Sequence, residues 1–203
     1  MRIKPHYLAR LFFPQLLWEV KTVSKEIFLT FDDGPHPEIT PRVLEILDEY
    51  NAKATFFCVG ENVQKHPETY ASILIKGHKT GNHSFNHLNG WKTKNKDYFD
   101  SIEQCSQLID SDLFRPPYGR ISPSQIKALK HQYNIVMWSA VTYDFDKTVT
   151  PEQCYKNAVK HTKSGSIVVF HDSMKASTNL FYALPRFLQN FTNRGYRFSL
   201  IPV

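Results

Sequence analysis

Short runs of apolar, β-branched and aromatic residues recur along the chain at 26–31, 54–59, 78–81, 113–115, 135–138, 166–170 and 197–201, most of them bounded by Gly, Pro or Asn. Such runs predict strands. Between them lie 40–50, 63–76, 96–109, 123–132, 152–163 and 180–193, which carry helical patterns. In the first of these, Val43, Leu44, Ile46 and Leu47 share one helix face, and Thr40 and Pro41 offer a start signal. Repeated strand–helix alternation predicts parallel strands joined by right-handed crossovers. About seven units in one α/β domain predict a barrel rather than an open sheet, with reactive residues at the C-terminal strand ends.

Composition changes little in this picture. The 203 residues fit one domain, and 41% hydrophobic with 22% charged residues is ordinary globular usage. The net charge is +6, yet the densest basic stretch, Lys92 to Lys96, is followed at once by Asp97. It reads as a solvated face, or as a weak attraction to an anionic polymer or membrane surface; no basic stripe suited to nucleic acid is present. Cys58, Cys105 and Cys154 form no CxxC pattern and no complete disulfide framework, which fits a reducing compartment without establishing one. Residues 1–24 read as an N-terminal arm packing on a domain of residues 25–203. The apolar run from Leu11 to Trp18 is interrupted by Pro14 and Gln15, too short to span a bilayer and without a clear cleavage site after it; the alternative is an interfacial segment.

Polar clusters follow the predicted strands. Asp32 and Asp33 end the first, and adjacent carboxylates repel unless a cation neutralises one; Asp-Gly-Pro is also a common turn. His83 and His87 follow the third at a spacing of four, which on a helical turn would put both rings on one face. Two His and one carboxylate form a recurring catalytic metal set with open positions, although nine His in the chain make a chance pair plausible. Arg115 ends the fourth run and is followed by the stiff Pro116-Pro117-Tyr118-Gly119; alone it reads equally as a surface ion pair. Asp144 follows the fifth run and His171-Asp172 the sixth. A carboxylate beside a His orients it and raises its pKa, which suits a proton donor.

These residues carry a family resemblance. Thr30-Phe31-Asp32-Asp33-Gly34-Pro35, Gly81-Asn82-His83-Ser84-Phe85-Asn86-His87, Arg115-Pro116-Pro117-Tyr118-Gly119, Trp138 to Phe145, and Val169-Phe170-His171-Asp172 resemble, in order, the five motifs of the polysaccharide deacetylase family, also called carbohydrate esterase family 4. Leu184-Pro185 and Gly195 to Phe198 resemble its closing helix and strand. The resemblance covers roughly residues 25–203 and implies a distorted (β/α) barrel of fewer than eight units. It implies one divalent metal, most commonly zinc and sometimes cobalt, held by Asp33, His83 and His87. It further implies Asp32 as general base, Arg115 as its tether, His171 as general acid oriented by Asp144, and the Tyr118 N–H as an oxyanion donor. In the fourth motif Val141 stands where the family usually has Asp, and Phe145 where it has Trp. The residue that orients the acid is kept; a nearby polar contact and the indole are not.

The implied activity is removal of N-acetyl groups from an amino-sugar polymer such as peptidoglycan, a chitin-like oligomer or an exopolysaccharide. Two other readings stay open at this point: a hydrolase of cyclic imides or ureides, and a catalytically silent carbohydrate-binding protein. With no clear signal peptide, the chain reads as cytoplasmic or membrane-peripheral, whereas the substrate class points to the cell envelope.

Overall fold

The computed structural model describes residues 7–202, with side chains from residue 10 onward. After a short helix α1 (Tyr7–Phe12) come β1 (Glu26–Asp32), α2 (Ile39–Glu49), β2 (Ala54–Cys58), α3 (Gly60–Lys65), α4 (Pro67–Ile75), β3 (Lys79–Asn82), α5 (Asn95–Ser106) and β4 (Leu113–Phe114). A 3-10 turn (Pro117–Gly119) leads to α6 (Pro123–Leu129), β5 (Asn134–Ile135), β6 (Ala140–Val141), α7 (Pro151–Lys160), β7 (Ile167–His171), α8 (Ser177–Asn193) and β8 (Arg197–Phe198). The strands pair in the order β5-β4-β3-β2-β1-β7-β6, all in parallel, and β8 joins the start of β1.

β5 and β6 are the two ends of one extended segment, 134–141. Its start bonds β4 and its end bonds β7, so a single stretch of chain links the two edges of the sheet and curls it into a distorted (β/α) barrel. The strand expected at 135–138 is thus split, because this segment leaves one neighbour before it reaches the other. The helix expected over 63–76 is also split. Pro67 has no N–H to donate into a preceding helical turn, so it starts α4 at its first turn and α3 ends before it. Thr40 does not cap α2; it lies inside the first turn, and its hydroxyl bonds Asp172 instead.

Alternation along β1 divides the core. Ile27, Leu29 and Phe31 point outward into the layer under α2, α7 and α8, where they meet Leu44, Leu184, Phe187 and Phe191. Phe28 belongs to a separate cluster with Phe57, Leu113, Val136, Ile167 and Ile201. On that same inward face of β1 come Thr30 and then Asp32 towards the strand's C-terminal end, so the inward face turns polar toward the mouth. A third cluster, around Tyr98, Phe114 and Tyr133, includes Leu16 and Trp18. The Leu17 N–H donates to the Ile135 carbonyl at 2.9 Å, and the Leu17 carbonyl accepts from Met137 N–H at 2.8 Å. All three cysteines are free and buried. No helix among the described residues is long and apolar enough to cross a membrane.

Candidate active site

Asp32 and Asp33 are neighbours that a regular strand would point to opposite faces. Asp33 instead has φ 80°, a left-handed conformation that Asp tolerates better than most residues, and its carbonyl is pinned by Asn62 Nδ2 at 2.7 Å. The turn breaks the alternation and brings both carboxylates to the barrel mouth. Asp172 braces it from behind: its carboxylate accepts from Gly34 N–H at 3.1 Å and from the Thr40 hydroxyl at 2.6 Å. Burial above all, with repulsion from Asp33, pushes the Asp172 carboxyl up to about 8 against those two hydrogen bonds.

Asp32 is 4% exposed and faces Arg115, which is fully buried. Arg115 Nη1 donates to Asp32 Oδ1 at 2.6 Å and to Thr30 Oγ1 at 2.7 Å; Nη2 donates to the Met137 carbonyl at 3.0 Å and Nε to that of Val136 at 3.3 Å. The guanidinium also lies over the Phe57 ring, 4.1 Å from its centre. A buried Arg is costly unless its donors are used, and here three of its nitrogens are bonded in a fixed fork. Arg115 is therefore an interior residue aimed at one carboxylate, and the surface ion-pair reading does not hold.

His83 and His87 do converge, but not on a helical turn. The segment after β3 is irregular, with Ser84 at φ 59° and His87 at φ 55°. Ser84 N–H bonds the Asn82 side chain at 2.8 Å, a local loop bond that competes with helix formation. His83 Nδ1 lies 2.7 Å from the Arg115 carbonyl. A carbonyl only accepts, so Nδ1 carries the proton and Nε2 keeps its lone pair free. Burial lowers the His83 pKa to about 4, which keeps the ring neutral at pH 7. His83 Nε2 is 3.8 Å and His87 Nε2 3.2 Å from Asp33 Oδ1.

Ligand atoms of Asp33, His83 and His87 all lie within 4.8 Å of one another. Two atoms that each bind an ion at ~2.1 Å can be at most ~4.2 Å apart, so the two Asp33 distances suit one metal. The donor set fits as well: a carboxylate, one imidazole whose outer nitrogen is fixed by a carbonyl, and a second imidazole that is partly open. Burial acts to raise the Asp33 pKa, but the hydrogen bond to His87 and the charges of His171, His83 and His87 outweigh it and hold the carboxyl well below its usual range.

His171 ends β7 directly beside Asp32 in the parallel register. Asp144 is buried; its Oδ1 accepts from His171 Nδ1 at 2.8 Å and its Oδ2 from His171 N–H at 2.7 Å. This fixes the ring with Nε2 free. Burial pulls the His171 pKa down, yet the charge and hydrogen bond of Asp144, aided by Asp33 and Asp32, carry it up to about 9. Phe145 packs edge-on against His171 with ring centres 4.8 Å apart, so an apolar wall remains without the indole. Val141 lies in β6 opposite Val169. Tyr118 has φ 60°, and its exposed ring tilts against His87 with centres 4.6 Å apart. Gly119, at φ 63°, has no room for a side chain, since a Cβ there would meet the Trp138 ring at 2.5 Å.

A family model described as polysaccharide deacetylase matches residues 19–136. The chain belongs to that family. A peptidoglycan-N-acetylglucosamine deacetylase of Bacillus cereus is 37% identical over 192 residues, covering 91% of this chain and 90% of the relative. A solved peptidoglycan N-acetylglucosamine deacetylase superposes with a TM-score of 0.89 at 30% identity, covering 98% of this chain and 95% of its own. A family pseudoenzyme from Bacillus anthracis also superposes, with a TM-score of 0.78 at 26% identity over 91% of this chain and 66% of its own. This polysaccharide deacetylase therefore shares its fold with relatives named as deacetylases and with one named as a pseudoenzyme. Asp144 and His171 lie beyond the matched residues and rest on the contacts above. Thr30, Asn62, Thr40 and Asp172 are supporting residues to which the sequence alone gives no role at the site. Asp172 has a signal in its place beside His171, whereas Thr40 signals only a helix start.

Proposed function

We propose that this polysaccharide deacetylase removes N-acetyl groups from N-acetylglucosamine-containing polysaccharide with the help of one divalent metal held by Asp33, His83 and His87, zinc being the ion best suited to that donor set. The observation that carries the reading is the meeting of two charged pairs, Asp32–Arg115 and His171–Asp144, on adjacent strand ends beside the Asp33–His83–His87 cluster. The bound metal would supply Lewis-acid polarisation and lower the pKa of a water toward ~7.

The chain's own groups do the rest. Arg115 pairs with Asp32 and holds its carboxylate in one place, ready to take a proton from the attacking water. An amine leaves poorly unless protonated, and His171, held protonated by Asp144, presents Nε2 to donate that proton. The Tyr118 N–H would donate to the oxygen that becomes negative, the role that the family's third motif implies for it. The names of the relatives favour peptidoglycan as the polymer.

Acetate release from peptidoglycan and from N-acetylglucosamine oligomers tests this. Chelated protein is expected to lose the activity and to recover it with zinc or cobalt. Asp32→Asn should lower the rate by about 10²–10⁴-fold, and His83→Ala should abolish metal binding and activity together. Undiminished release after chelation, or full activity in Asp32→Asn, would refute the mechanism.

A further inference from the structure

The loop after His87 holds an exposed indole in a fixed place. Trp91 is 62% exposed. Its Nε1–H donates to the Ile121 carbonyl at 3.0 Å, and its backbone N–H bonds Asn89 Oδ1 at 3.0 Å. Gln125 Nε2 holds the Gly90 carbonyl at 2.9 Å, and Thr93 Oγ1 holds that of Asn89 at 2.8 Å. A Cβ on Gly90 would meet the Arg120 carbonyl at 2.5 Å, so the two loops touch at the backbone. The Arg120 guanidinium stacks 4.2 Å from the centre of the Trp91 ring. Among the described residues, no hydrogen bond or ion pair satisfies that guanidinium.

With one edge tied and one face covered, the exposure of Trp91 falls on its other face and outer edge. Neither side chain is needed to start α6, because Ser122 and Gln125 already form a complete capping box there. Nor is the pair remote from the chemistry. Trp91 is four residues beyond His87, a reach of at most about 14 Å. Arg120 is two residues beyond Tyr118, whose ring rests on His87. The two loops both start from residues at the Asp33–His83–His87 cluster or against it, touch each other at the backbone, and hold an ordered indole with a stacked, unpaired cation. Such a rigid aromatic face suits a sugar ring, and a pre-stacked guanidinium suits a carboxylate.

We propose that Trp91 and Arg120 form a subsite for an anionic sugar flanking the reacting one, namely a muramoyl residue of peptidoglycan, with its ring against the indole and its lactyl or peptide carboxylate on the guanidinium. This rests on the deacetylase reading for the direction of the strand, and it names the polymer: a charged strand is preferred over neutral N-acetylglucosamine oligomers. Exposed Lys92 and Lys94 on the same loop add to the attraction.

The test is a fluorescence titration of the full chain with a muramoyl-peptide-containing tetrasaccharide, the same fragment with its carboxylates amidated, and an N-acetylglucosamine tetramer. Quenching of tryptophan emission is expected with the charged fragment, at a Kd about tenfold below that of the amidated one, the gap closing at high salt. Arg120→Gln should erase the gap, and Trp91→Phe should remove most of the quench while binding persists. Equal Kd values for the charged and amidated fragments, or a gap that survives in Arg120→Gln with an unchanged melting temperature, would overturn the subsite. No binding of the charged fragment by a protein that deacetylates neutral oligomers would also overturn it and leave the deacetylase standing. Binding as expected without acetate release would keep the subsite and refute the deacetylase.

Discussion

Arg115 and His171 carry the residue-scale lessons. Arg115 is a buried cation whose partners are one carboxylate, one hydroxyl and two carbonyls. Arg115→Ala would leave the buried Asp32 charge unpaired, so a loss of about 3–5 kcal/mol is expected in urea unfolding, together with loss of activity. Arg115→Lys cannot rebuild the fork and should recover little of either. His171 is held near pKa 9, above the ordinary 6.5. A raised pKa gives stability that is full below the unfolded value and lost as pH climbs through the folded one. Asp144→Asn should therefore cost most stability near pH 6, and its gap from the parent should narrow above pH 9. In kinetics, the alkaline limb of kcat/KM should move to lower pH in Asp144→Asn. A cation at Asp33, His83 and His87 would draw the parent's limb down as well. An unmoved limb would show that His171 is not the acid.

At the scale of elements, the strand ends do the positioning, and their details differ in how well the chain announces them. The apolar runs and the residues near their ends were legible, because buried parallel strands need continuous apolar stretches and each chemical residue lies at the end of one or within six residues of it. The path of the irregular segments was not. That Asp33 would turn left-handed, that His83 and His87 would meet across a bent loop, and that 134–141 would serve two neighbours all depend on long-range partners such as Asn62 and Arg115. Local pattern carries no trace of those partners. The same holds for Asp172, whose two donors come from the turn after β1 and the first turn of α2. Gly34 is small for this reason: a Cβ there would fall 2.1 Å from the Asp172 carboxylate. Gly34→Ala should displace the turn, lowering the midpoint of thermal unfolding and weakening metal affinity as read by dialysis. Asp172→Ala should cost about 1–3 kcal/mol by leaving the Gly34 and Thr40 donors unmet.

At the scale of the whole molecule, the barrel is held together by the stretch 134–141 and by what lies along it. Leu17 bonds it on one side through Ile135 and Met137, and Phe114 bonds it on the other through Val136. Leu17→Pro would remove the donor to Ile135, and the expected result is a lower melting temperature with a fall in kcat larger than the stability loss alone explains, measured at a temperature where the variant is fully folded. A variant that melts lower yet keeps its kcat would show the arm to be a passive cover.

The carbonyls of Val136 and Met137 hold Arg115 in place, and they belong to the very stretch that joins the two sheet edges. The barrel's seam and the anchor of the proposed base are one piece of backbone. Any strain that opens the seam, from the Leu17 side or from the Phe114 side, reaches Asp32 through a single guanidinium before the core is exposed. Turnover is thus a sentinel for closure: this protein should fall silent under mild denaturant, heat or arm displacement while its bulk secondary structure still reads as native.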